Sequence, residues 1–145
     1  MSLLNKLERM AREVCPLIVY PEPDDERIVE AAAEVADRGI ARPVLLCEEE
    51  FDPADLPDGV EAVSMADSPL TEQYVEAYSE RRGTKKRVAE RLLTRPLVYG
   101  GMMVAQGNAG GMVAGVACPT ASVIQAAGLT IGYQEGLDSA SSCFI

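Results

Sequence analysis

The sequence contains no histidine. Its absence excludes Ser-His and Cys-His nucleophile pairs, any imidazole acid-base step and most zinc sites. Cysteine is sparse: Cys15, Cys47, Cys118 and Cys143 lie far apart, with no C-x-x-C among them. Neither a metal site nor a redox motif is therefore expected. No apolar run approaches the roughly 20 residues of a membrane span. The opening MSLLNKLERMAREV lacks the continuous apolar stretch and small-residue cleavage site of a signal peptide. These absences predict a cytoplasmic protein whose chemistry falls to Arg, Lys, Asp, Glu, Ser, Thr or backbone amides.

What is present suits one domain with a true core. At 145 residues, 48% hydrophobic and 25% charged, such a chain buries about 68 to 70% of its unfolded surface. The net charge of -10 argues against nucleic acid and anionic membranes as partners. Against that acidic background, Arg81, Arg82, Lys85, Lys86, Arg87, Arg91 and Arg95 place seven of the 13 basic residues within one short segment. The concentration suits a phosphorylated small molecule. It also suits a solvated helix face, with Arg87, Arg91 and Arg95 spaced i, i+4 and Glu80 and Glu90 as partners. Arg81 and Arg82 adjoin the break at Gly83, where loops carry function, and are the stronger candidates.

Hydrophobic periodicity alternates between helix and strand. Ser2 can cap a helix whose apolar stripe is Leu3, Leu7, Met10, Ala11 and Val14, with Pro16 as its stop. Strands are predicted over 17–20, 43–47, 60–65 and 111–116, and helices from PEPDDER to Gly39 and over 68–82, 85–93, 96–106 and 119–131. The closing SASSCFI becomes more apolar toward its end and reads as a fifth strand. Strands joined by helical crossovers favour a parallel sheet covered on both faces, an α/β architecture.

Two stretches are candidate sites. GGMMVAQGNAGGMVAG contains neither G-x-G-x-x-G nor a P-loop pattern, and Gly110 and Gly111 precede a strand instead of opening a helix after one, so tight turns explain them. CPTASVIQ, from Cys118 to Gln125, follows a strand and opens a helix. Thr120 and Ser122 then lie at the carboxyl edge of a parallel sheet, where open α/β sheets bind ligands. Holding an anion there and plain N-capping are both open readings.

The stretches YPEPDDERIVEAAAEVADRGIARPVLL, TRPLVYGGMMVAQGNAGGMVAG and PTASVIQAAGLTIGYQEGLDSASSCFI, in this order over nearly the whole chain, resemble the N-terminal portion of the phosphate acetyltransferase and phosphate butyryltransferase family. The resemblance implies a three-layer αβα, isocitrate dehydrogenase-like first domain over residues 1–145. In the family a second such domain follows, and this chain stops where the crossing to it would begin. The implied activity is transfer of an acetyl or other short acyl group between coenzyme A and inorganic phosphate, with the thioester as substrate and no separate cofactor.

The family's catalytic Asp and most of its Arg and Ser groups belong to the later half, so the resemblance assigns no catalytic residue here and implies an inactive isolated chain. It maps a phosphate-binding Arg onto Arg81 or Arg82 and substrate hydroxyls onto Thr120 and Ser122. Where the family's helix carries an Arg, this chain has Gln125, a neutral amide that donates hydrogen bonds but makes no bidentate clamp on phosphate. Acyl-CoA and phosphate are the expected partners, with homo-oligomerisation through surface that a second domain would cover. The alternative is a non-catalytic acyl-CoA or anion-binding module, or a subunit completed by a partner chain.

Overall fold

The computed structural model describes residues 2–49 and 52–143. Helix α1 (Leu3–Val14) is capped by the Ser2 hydroxyl, which accepts from the Asn5 N–H, and ends where Cys15 turns left-handed before Pro16. Strand β1 (Leu17–Tyr20), helix α2 (Glu26–Asp37), strand β2 (Arg42–Cys47) and strand β3 (Glu61–Ser64) follow, with a 3-10 turn at Pro53–Asp55. Three helices then run consecutively: α3 (Thr71–Arg82), α4 (Lys86–Leu93) and α5 (Pro96–Ala105). The described elements end with strand β4 (Gly111–Met112) and helix α6 (Thr120–Thr130).

All pairings are parallel, in the order β3-β2-β1-β4. Alternation along the strands builds two cores. Val19 and Leu46 face α3, α4 and α5, among Tyr74, Tyr78, Ala89, Leu93, Tyr99 and Met102. Tyr20, Leu45 and Cys47 face Ile28 and Ala32 of α2. A sheet buried on both faces by helices is the three-layer α/β architecture that the sequence predicts. Helix α5 reaches the sheet closely because Gly100 has no side chain. A Cβ there would lie 2.8 Å from the Met112 sulfur and 3.2 Å from Val19 Cγ1.

Two strand expectations are corrected. The fourth strand is Gly111–Met112 instead of 111–116. Beyond Val113, whose N–H still reaches Val19 O, the chain leaves the sheet and its amides turn to a side-chain partner described below. The fifth strand is not formed among the described residues: Ser139 to Cys143 are exposed and irregular, and the rest of that stretch lies outside them. A strand needs a paired edge, and β4, bonded to β1 over two residues, offers very little of one.

Candidate functional site

The chain passes outward from β1 to β2 and β3, then returns to the other side of β1 as β4. Its topological switch point therefore lies between β1 and β4, and a crevice opens beyond their carboxyl ends, as ligand sites of open parallel sheets do. A cavity of about 470 Å³ occupies this edge, lined by Glu22, Asp24, Cys47, Glu48, Pro96 and Cys118 among others.

One carboxylate organises the crevice. Glu22, two residues past β1, crosses the switch point to the loop leaving β4. Its Oε2 accepts from the N–H groups of Gly115 (2.8 Å) and Val116 (3.2 Å), and its Oε1 from those of Ala117 and Cys118 (both 2.8 Å). Successive amides converging on one anion form a concave nest, here filled by the protein's own side chain. Gly115 at φ 110° supplies the backbone conformation that the turn needs. Desolvation pushes the Glu22 pKa up, but the Cys118 thiol and the Ala117, Gly115 and Val116 amides outweigh it and hold the group at about 2.

The same environment keeps the two neighbouring thiols protonated. Burial and then the Glu22 carboxylate push the Cys118 pKa up, and burial and then Asp24 raise that of Cys47. Neither is a thiolate nucleophile at neutral pH.

The nest delivers the chain into α6. Pro119 is its N-cap residue, with no side-chain capping bond. Among the described residues, neither the Thr120 nor the Ser122 hydroxyl makes a hydrogen bond within the protein, so neither serves as a plain cap. Thr120 is exposed and Ser122 half-buried. Gln125, three residues beyond Ser122, shares its helix face and is exposed. These three side chains stand on the amino half of α6, which follows directly from Cys118 of the crevice, and none of them lines the cavity itself.

Arg81 and Arg82 are elsewhere. At the carboxyl end of α3, they turn their guanidiniums onto the carboxyl end of α6. Arg81 donates to Thr130 O and, at 2.6 Å, to Ile131 O; Arg82 donates to Gly128 O and, at 3.0 Å, to Leu129 O. Cations at a helix carboxyl end satisfy orphan carbonyls and complement the macrodipole. Gly132, at φ 80°, makes room: a Cβ there would stand 2.7 Å from the Arg81 guanidinium. Ten residue rises, about 15 Å, separate this end of α6 from Thr120. The sequence-derived site residues thus fall into two groups, at opposite ends of one helix.

Glu22 is the residue that sequence reasoning missed. Its signal was an acidic residue between two prolines directly after a strand, at the carboxyl edge, which reads locally as turn chemistry.

The family model described as "Phosphate acetyl/butaryl transferase" matches residues 2–145. The chain is 33% identical over 153 residues to a phosphate acetyltransferase of Acetivibrio thermocellus and 32% identical over 156 residues to that of Treponema pallidum. Each alignment covers 100% of this chain and 46% of the relative. Among solved structures, a phosphotransacetylase from Streptococcus pyogenes superposes with a TM-score of 0.78 at 28% identity, and the EutD phosphotransacetylase from Staphylococcus aureus with 0.77 at 25%. Both cover 96% of this chain and 46% of the other. The chain thus spans just under half the length of these relatives.

Proposed function

The chain belongs to the phosphate acetyltransferase and phosphate butyryltransferase family, and from that premise we propose that its crevice at the switch point forms half of a site for acyl transfer between coenzyme A and inorganic phosphate. The observation that carries this reading is the loop from 115 to 118, clamped by Glu22, which sets unengaged hydroxyls at Thr120 and Ser122 on the sheet's carboxyl edge. In the reaction the coenzyme A sulfur forms a bond to the acyl carbon as the bond from that carbon to a phosphate oxygen breaks, and the thiol proton passes to a base. The hydroxyls and the Gln125 amide orient the phosphate or acyl oxygens by hydrogen bonds. The family resemblance assigns the base and the charged phosphate clamp to the half of the relatives that this chain does not span.

A second reading, a binding module without turnover, is favoured by Gln125 in the place of an Arg and by the engagement of Arg81 and Arg82 with α6. The two readings separate in a thiol-release assay with acetyl-CoA and phosphate or arsenate. The 145-residue chain alone should give no turnover above buffer, while a chain continued to the relatives' length should turn over. Turnover by the 145-residue chain that survives repurification and falls on Ser122→Ala would contradict the half-site. No turnover by the longer chain, with acetyl-CoA binding retained, would establish the binding module instead.

A further inference from the structure

We propose that the groove formed by Arg87 and Arg91 of α4 with Arg95, at the junction to α5, binds a small ligand carrying two or more phosphate groups, separate from the crevice at the sheet edge. The three arginines line a groove of about 520 Å³ together with Val88 and Leu92. Val88 is 46% exposed, so the groove has an apolar strip between its cations. Arg87 and Arg91, four apart on α4, lie about 6 Å apart along its axis, and Arg95, extended beyond the helix's carboxyl end, adds a third cation to the same groove. Three cations on one groove match a ligand with several phosphate groups better than a single phosphate.

These charges are not explained by the fold. The expectation that Glu80 and Glu90 partner them is not met: among the described residues, the ion pairs are those of Arg12, Arg27, Arg38, Arg42 and Lys86. Glu90 faces away, lining depressions beside Thr71. Arg81 and Arg82 are held by α6 and Lys86 by Glu76, which leaves Arg87, Arg91 and Arg95 with open guanidiniums.

Part of this placement opposes the helix that carries it. Arg87 and Arg91, like charges at i, i+4, repel. Lys85 at the N-cap and Lys86 and Arg87 in the first turn, with no acidic residue there, put cations at the positive end of the dipole, whereas Arg91 in the last turn suits the negative end. In a chain with 23 acidic residues, Arg87 at the start of α4 and Arg95 at the start of α5 are cations at unfavourable helix ends with no acidic partner among the described residues, and local rules broken without structural compensation mark functional sites. At the groove's other end Arg95 directly precedes α5, whose amino terminus adds positive potential there.

The test is calorimetric titration of tripolyphosphate, pyrophosphate and inorganic phosphate into the 145-residue protein at low salt. Saturable one-to-one binding is expected, in the order tripolyphosphate, pyrophosphate, phosphate. Arg91→Gln should weaken tripolyphosphate about tenfold, the low end for a charge-assisted hydrogen bond because the groove is exposed. The triple change at 87, 91 and 95 should abolish binding while leaving helix content intact, and Lys6→Gln should change nothing. Unaltered binding in the triple variant, an equal loss in Lys6→Gln, or tighter binding of a poly-aspartate peptide than of tripolyphosphate would each overturn the proposal. Arg91 lies outside the crevice, so failure here leaves the acyl-transfer reading standing.

Discussion

Replacing Glu22 by alanine should lower the chain's stability by about 1 to 2 kcal/mol at neutral pH. A pKa held at about 2 instead of 4.5 sets an upper bound, at about 1.4 kcal/mol per unit, and solvent screening at this partly exposed position brings the expected loss well below it. Four amides that converge on one carboxylate lose their acceptor together, and they tie the loop after β4 to the loop after β1. Glu22→Gln should recover only part of the loss, because its amide nitrogen sets donors against donors. Because the folded pKa is the lower one, this contribution is fully present above about pH 4.5 and disappears as the pH falls toward 2. Urea unfolding midpoints for wild type and Glu22→Ala, measured between pH 7 and 2.5, should converge as the pH falls. A constant difference across that range would assign the loss to packing alone.

Removing both guanidiniums at the end of α3 should be comparably damaging. The Arg81→Ala, Arg82→Ala double variant loses four charge-assisted bonds to the carboxyl end of α6. With both side chains exposed, the loss should be about 2 kcal/mol rather than the full sum of four such bonds. The damage should be local: hydrogen exchange should accelerate in α6 well before it does in the central strands. If α6 keeps its protection and phosphate binding alone falls, then these arginines serve a ligand as the family resemblance implies.

The contrast between Arg81 and Glu22 shows where sequence reading reaches and where it stops. Periodicity and turn residues are local, and they located β1, α2, β2, α4, α5 and α6 to within a residue or two. The helix predicted from 68 begins at Thr71 because Ser68 to Leu70 form a turn. The closing stretch has the composition of a strand, yet strand formation depends on a neighbour that composition does not reveal. Partner choice is similarly non-local. Glu22 finds its amides 93 to 96 residues away, and Arg81 and Arg82 find their carbonyls 46 to 50 residues away. Within its own segment Glu22 is a turn residue and Arg81 a loop cation. Only the fold makes one an anchor of the crevice and the other a clamp on a helix end.

The crevice between β1 and β4 is the centre of the proposed acyl-transfer site, and amide chemical-shift mapping during titration with acetyl-CoA and then phosphate tests it most directly. The predicted result is a contiguous set of shifts over 115 to 125, including Thr120, Ser122 and Gln125, that is lost in Glu22→Ala while the strand amides stay native. Saturable acetyl-CoA binding that leaves 115 to 125 unmoved would contradict it.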